Sequence, residues 1–393
     1  MNLILKTPFY LLSILWCLFS GIVHADPKVN DEAKTLLVQF EEAQQQAIRL
    51  EAEDNVKAAV LAAKRALNLG EELDLNPEQI ADLHFNYGYV LKESGELVEA
   101  CKNLQKSFDI NEDEFSKFSP QLTKPADQLA TCYARTNRPR RADYYFQTAK
   151  IIANRNYGTE SFEYAMALFN HGAAKLMHMN TDSGRQDLEE SLALLKSVRG
   201  PSSPETLVNE FTLAKADLSA RQLDLAIERL NRILDVALST NQPDVELSIR
   251  AFLVEAYELN EQGNLATQHC LAIGRKTPAE GERNAFPVFE LPPQYPRRAR
   301  GRHKVGWVDI EYNVDKEGFV RDAQIIDRNS YSRVFDEASL ETLNRSRYAP
   351  AFEEGEPVEV KGLRRRFEFK RMRIPLQRGN TIYSTATYAS KIP

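Results

Sequence analysis

Cysteine is scarce in this chain: four in 393 residues, at positions 17, 101, 132 and 270, with no CxxC pair and no Cys/His cluster of metal-ligand spacing. That excludes a zinc-stapled or disulfide-framework fold and leaves no metal site to name. A glycine-rich phosphate loop and a nucleophile–base pair at motif spacing are equally missing, so the chain reads as not an enzyme, with no cofactor. Charge of one sign is lacking too. A net charge of −6, from 50 basic against 56 acidic residues, argues against a polybasic nucleic-acid binder. What is present is ordinary globular composition. With 43% hydrophobic residues the chain can build real cores, and 393 residues exceed what one core usually supports, which implies two or three domains.

The first 25 residues stand apart. Lys6 precedes an apolar run from Phe9 to Val23, closed by the small-residue site Val23-His24-Ala25. This is the pattern of a cleavable signal peptide, 1–25, and of export to the periplasm. The alternative is an uncleaved inner-membrane anchor facing the periplasm, although the run falls short of the ~20 residues of a spanning helix. Cys17, preceded by Leu15 and Trp16, lacks the small neighbours of a lipoprotein acceptor. Three cysteines remain after cleavage. Two readings stay open for them: buried packing thiols on helices, or a Cys101–Cys132 bridge between neighbouring helices in an oxidising compartment.

A 42-residue step runs through the next 250 residues. Ala58, Ala100, Ala142, Gly184 and Ala226 lie on it; Gln46, Gly88, Ala130, Gly172, Ala214 and Ala256 form a second series; Ala62, Leu104, Phe146, Leu188, Leu230 and Ala272 form a third, wholly apolar one. Small residues let two antiparallel helices approach, and an apolar residue one turn later fills the seam. Breakers recur between units at Asn76-Pro77, Ser119-Pro120, Gly158-Thr159, Ser203-Pro204 and Gln242-Pro243. Each unit is thus a helical hairpin, and stacked hairpins form an all-α array over residues 31–278. His84 and His171 sit beside the small residues and read as packing histidines rather than bases or ligands. On Gly88, Gly95, Ala100, Leu104 and Ser107, and again on Ala130, Asn137, Ala142, Phe146 and Ala149, the array resembles tetratricopeptide (TPR) repeats in a longer form; Gln268 departs from the pattern in the last unit. That resemblance implies a protein-binding scaffold for other envelope proteins.

After Pro278 the helical period stops. A Pro-rich segment, Phe286-Pro287 to Pro292-Pro293-Gln294-Tyr295-Pro296, leads into residues 284–375, a small α+β module, with a polar tail at 376–393. Val305 to Val314 alternates, with Val308, Ile310, Tyr312 and Val314 on one apolar face. Asp315-Lys316-Glu317-Gly318 turns the chain into a second strand, Phe319 to Ile326. A short helix is expected between Val334 and Tyr348, stopped at Ala349-Pro350. Strand character returns from Pro357 to Phe369, giving an antiparallel sheet covered by one helix.

Tyr295-Pro296 with Ala299, Gly306, Gly318 and Val320, Asp336 and Ala338, Tyr348-Ala349-Pro350-Ala351, and Gly355 with Pro357-Val358 together resemble the TonB C-terminal domain family, the energy transducers of the Gram-negative envelope. The resemblance implies β-strand addition: an extended peptide of an outer-membrane TonB-dependent transporter pairs with an edge strand, here Val358 to Phe369, in energy-dependent transport. It points to Val358, Val360, Leu363, Arg365 and Phe367 as partner contacts, and to Tyr295 and Pro296, which also fit a rigid linker packed on the sheet. Arg364-Arg365-Arg366 suits acidic partners, an anionic membrane face, or a charge-guarded edge. The family's long Pro-rich rod is missing. Contact with inner-membrane proton-motor proteins requires the anchored alternative, and the family's Ser/His anchor pair is matched in spacing alone by Ser20 and His24. The competing reading is a TPR scaffold for envelope assembly without energy transduction.

Overall fold

The computed structural model describes residues 31–179, 183–276, 285–300, 305–329 and 333–370. The expected signal peptide with Cys17, Ser20 and His24, and the tail at 376–393, lie outside the described residues. Twelve helices come first: α1 (Asp31–Ala52), α2 (Val56–Glu72), α3 (Pro77–Ser94), α4 (Leu97–Glu114), α5 (Thr123–Arg135), α6 (Pro139–Tyr157), α7 (Phe162–Ala174), α8 (Ser183–Val198), α9 (Pro204–Ser219), α10 (Leu223–Ser239), α11 (Pro243–Leu259) and α12 (Gly263–Lys276). None of the described helices is long and apolar enough to cross a membrane. The breakers act as caps. Asn76 and Gln79 form a reciprocal capping box at α3 with Pro77 in its first turn, and Ser161 accepts from the Tyr164 amide at α7.

The small residues mark helix seams, as the step predicts. A Cβ on Gly172 would sit 2.7 Å from the Gly184 carbonyl oxygen, and one on Gly184 2.5 Å from that of Gly172. Ala100, Ala130, Ala142, Leu104, Phe146 and Leu188 are fully buried. The step fails at both ends. In the α1–α2 hairpin Gln46 is exposed and Ala58 half-buried, while Ala47 and Ala59 fill the seam one residue later. In α12 Gln268 is exposed and Ala272 half-buried, and Ala266 and Cys270 take their places two residues earlier.

The turns inside the hairpins carry the same drift. Asp54, Gly95, Asn137, Arg221 and Glu261 all have positive φ, at steps of 41, 42, 84 and 40 residues. This left-handed residue ends the first helix of each pair, and it suits Gly, Asn or Asp better than Glu. Glu261, exposed with φ 58, is therefore a strained position. Glu261→Gly is expected to stabilise the protein by about 1 kcal/mol in urea unfolding; a loss of stability would mean that the side chain makes a contact the turn needs.

Cys101 of α4 and Cys132 of α5 form a disulfide, with Cα atoms 5.6 Å apart, whereas Cys270 is a buried free thiol whose pKa burial pushes up to about 12. The bridge thus holds for Cys101 and Cys132, and the packing-thiol reading for Cys270. His84 is buried against Asn103 (2.9 Å). His171, fully buried, lies between Asp143 of α6 (3.0 Å) and Asp187 of α8 (3.1 Å), acidic partners that sequence spacing does not reveal. Burial alone would raise the Asp187 carboxyl; hydrogen bonds and charges from His171 and Lys175 outweigh it and bring the pKa down to about 2.

The described residues divide into two compact units, one ending at Ala216 and one beginning at Asp217. The second holds α10–α12 and the C-terminal module. In that module β2 (Gly306–Val314), β3 (Val320–Arg328) and β7 (Val360–Phe369) form an antiparallel sheet of order β3-β2-β7. Two strand pairs accompany it: β1 (Phe286–Phe289) with β4 (Arg347–Ala349), and β5 (Ala351–Glu353) with β6 (Glu356–Val358). The β5–β6 turn is Glu354-Gly355, both at positive φ, as a two-residue hairpin requires. A short turn of helix, α13 (Arg297–Arg300), and α14 (Asp336–Asn344) complete the module. Its core gathers Val308, Ile310, Tyr312 and Val314 of β2 with Phe335, Leu343, Tyr348, Phe367 and Phe369.

Two expectations need correction. The Pro-rich lead-in contains a strand, β1, rather than extended chain alone. The helix expected to run towards Tyr348 stops at Asn344, because Arg347 to Ala349 pair with β1 and the Tyr348 amide donates to the Gly318 carbonyl (3.0 Å). Gly318, at φ 84, leaves no room for a Cβ against the carbonyl group of Tyr348. The module also packs on α11 and α12. Arg347, fully buried, donates to Glu258, to Thr267 Oγ1 (2.7 Å) and to the Glu317 carbonyl (3.2 Å), with its guanidinium 3.8 Å from the Phe319 ring centre.

Candidate partner-binding site

An unpaired strand edge is a row of backbone donors and acceptors waiting for a partner. The β3-β2-β7 sheet has two edges. β3 is interrupted: its register with β2 shifts twice, and Asp322 has φ 52, which breaks the row. β7 has one irregularity, opposite Tyr312 to Val314, next to Gly362 at φ 71. From Leu363 to Phe369 it pairs with Tyr312 to Gly306 residue by residue, and among the described residues no strand lies on its other side. Seven residues of regular edge extend ~23 Å at the usual strand rise.

The two faces of β7 differ. Arg364 and Arg366 point outward, and each meets an acid directly opposite on β2: Arg364 with Glu311 (3.0 Å), and Arg366 with Asp309 through two bonds of 2.7 and 2.6 Å. Arg366 also lies 4.1 Å from the Trp307 ring centre, and its pKa is raised, chiefly by the hydrogen bonds to Asp309. The face is a cross-strand ion-pair ladder, which holds the side chains of the edge strand in place. Leu363, Arg365, Phe367 and Phe369 point inward. Arg365 pairs with Glu290 (2.5 Å), a carboxylate whose pKa burial raises against the opposing pull of Arg365.

The structure therefore distributes the sequence-derived contact residues unevenly. Val358 belongs to β6 and not to the edge strand. Val360 and Leu363 pack against the module core, and Phe367 is a core residue, 1% exposed, so its side chain is withheld from any partner and only its backbone can take part. Tyr295 packs against the rings of Phe335 and Phe369, 5.7 and 6.2 Å away, in the manner of the rigid-linker reading. Pro296 follows it, its carbonyl accepting from the Ala299 amide. The counter-ions Asp309, Glu311 and Glu290 and the stacked Trp307 were not foreseen. The alternating Asp309 and Glu311 of one strand, set against the alternating Arg364 and Arg366 of another, carried that signal.

Residues 292–370 match the family described as Gram-negative bacterial TonB protein C-terminal. No curated protein matches the chain. Among solved structures, BtubC (BKLC) from P. vanneervenii is 17% identical, with 53% of this chain and 92% of that one covered at a TM-score of 0.40. A Podosopora anserina protein described as a kinesin light chain with nearly identical TPR-like repeats is 18% identical, covering 49% and 92% at 0.43. Aspartyl phosphate phosphatase F from Bacillus subtilis is 11% identical, covering 62% and 71% at 0.48. The chain is an array of helical hairpins followed by a small α+β module, of which residues 292–370 match the TonB protein C-terminal family.

Proposed function

We propose that the C-terminal module binds an extended peptide of an outer-membrane TonB-dependent transporter by strand addition to β7, and that the helical array recruits other envelope proteins. The observation that carries this reading is the regular, unpaired edge from Leu363 to Phe369. In such a complex the backbone supplies affinity and the exposed side chains, Arg364 and Arg366, supply selection. The protein works by binding rather than catalysis. The Cys101–Cys132 disulfide fits an exported, periplasmic chain, since such bonds persist in oxidising compartments.

The test exploits the two-residue period of a strand, in which amide groups face a given neighbour at alternate positions only. A transporter-derived peptide is N-methylated at odd or at even positions, and binding is read by fluorescence anisotropy. One set is expected to lose affinity by about tenfold or more per blocked bond and the other to bind as the parent does. Equal behaviour of the two sets would exclude strand addition.

A second reading, a scaffold for envelope assembly without energy transduction, rests on the extent of the array, from Asp31 to Lys276, in the position where a rod would stand. The mature N-terminus separates the two. An intact Met1 in the inner-membrane fraction favours coupling to proton-motor proteins, and a start at Asp26 in the soluble periplasm removes it.

A further inference from the structure

Outside the C-terminal module, the feature least accounted for by folding is a group of arginines at the start of α6. Arg138, Arg140 and Arg141 are exposed, and among the described residues none of them forms an ion pair. The first turn of α6 holds no acidic residue, so all three charges meet the positive end of a helix dipole, an arrangement that disfavours the folded helix. Arg138 and Arg141 lie 5.9 and 5.4 Å from the Tyr133 ring centre, and Arg141 also donates to the Tyr133 hydroxyl at 3.4 Å.

Two of the arginines, Arg140 and Arg141, line an open surface cavity of about 400 Å³ together with Gln105, Tyr144 and Tyr145. Its floor is fixed before any ligand arrives. Gln105 Oε1 accepts from the hydroxyls of Tyr133 and Tyr145, each at 2.9 Å, and its amide nitrogen donates to Asp109 at 2.7 Å. Tyr145 stacks on Tyr133, with ring centres 5.7 Å apart, and meets Tyr144 edge-on at 5.1 Å. Tyr144 itself is 57% exposed, which leaves a ring face open at the rim.

We propose that this cavity binds a phosphate ester carried on a ring, either free as a sugar phosphate or as the headgroup of a lipid. Guanidinium groups without a counter-ion match the charge and the several acceptor oxygens of a phosphate monoester better than a single carboxylate. The volume suits a ligand of one ring, at the small end of the range for such sites. Tyr144 offers that ring a flat surface, and the preset Gln105–tyrosine network requires no reordering on binding.

Titration calorimetry on the full chain tests this with three probes: inorganic phosphate, glucose 6-phosphate, and phosphatidylcholine vesicles with or without phosphatidylinositol 4-phosphate. Glucose 6-phosphate is expected to bind about tenfold more tightly than inorganic phosphate, an advantage that Tyr144→Ala removes. The double variant Arg140→Gln/Arg141→Gln is expected to lose about a hundredfold in affinity, with a thermal midpoint at or above that of the parent because like charges leave the helix start. Binding to the phosphoinositide vesicles alone assigns the headgroup as the source, and binding to glucose 6-phosphate alone assigns the free ester. No saturable binding of any probe, or binding unchanged in the double variant, overturns the proposal.

Discussion

Replacing Arg347 by alanine is expected to lower the unfolding free energy of the C-terminal unit by about 4 kcal/mol, the usual scale for removing one partner of a buried ion pair. Arg347 is 2% exposed, and its partner Glu258 retains only 20% side-chain exposure, so the carboxylate left behind has little water to turn to. Thr267 and the Glu317 carbonyl lose donors as well, and the Phe319 ring loses the cation stacked on it. One term works against the full loss, since the Arg347 Nε is itself buried without an acceptor. Guanidinium chloride unfolding followed at Trp307, one of two tryptophans in the sequence, reads the module directly. Arg347→Lys keeps the charge but not the fork and should recover less than half of the loss. In the double variant with Glu258→Ala the cost should fall short of the sum by about 2 kcal/mol, a coupling typical of contacting residues. A change under about 1 kcal/mol in Arg347→Ala would mean that the hairpin and the module are held by apolar packing alone.

That contact reaches beyond stability. Glu258 and Thr267 belong to α11 and α12, while Arg347 belongs to β4, so the last hairpin of the helical series and the C-terminal module share one ion-paired, aromatic-covered joint. Gly274 of α12 reinforces it: a Cβ there would meet the Pro350 carbonyl oxygen and the Phe352 ring. A truncation made at the compositional boundary near Pro278 cuts through this joint and takes Glu258 and Thr267 away from Arg347, leaving only the Glu317 carbonyl. A start at Asp217 keeps it whole.

The same residues show what the sequence could and could not reveal. The helical array was legible because its seams are steric: a glycine or alanine at a fixed step is needed wherever backbones approach, and that requirement is written locally. The step drifted only at the ends, where Ala47 and Ala59, and later Ala266 and Cys270, shift to suit hairpins of slightly different length. The central sheet was legible for a similar reason, since alternation along Val308 to Val314 is a property of one strand. Arg347 was not. It stands in a stretch whose periodicity fits a helix, and only the pairing of β4 with the distant β1 and a carboxylate 89 residues away decide that it is a buried strand residue. The candidate site shows the same division. That the last strand is an edge followed from the order of elements, but which side chains face out depends on the register against β2, and this register turns Leu363, Arg365 and Phe367 inward.

Severing the Cys101–Cys132 bond is the second change with a large expected effect. The pair closes a loop of 31 residues, for which the chain-entropy account gives about 4 kcal/mol of stabilisation at 25 °C. Cys101→Ser/Cys132→Ser, or the parent in excess reductant, should therefore unfold in urea at a clearly lower midpoint with little change in slope, and the two should agree with each other. The bond ties α4 to α5, the two helices on either side of the break at Ser119-Pro120, and so it fixes one hairpin against the next at a connection where the chain leaves regular α-helix. Cys270 supplies the internal control. Fully buried, with its thiol pushed up to about 12 by desolvation, it stays protonated near neutrality and should resist alkylation until the protein unfolds. The native, unreduced protein should thus take up no iodoacetamide at these three positions, the denatured protein one equivalent, and the reduced and denatured protein three. Three equivalents without reductant would show that Cys101 and Cys132 are free thiols, and would remove the support this bond lends to an oxidising compartment.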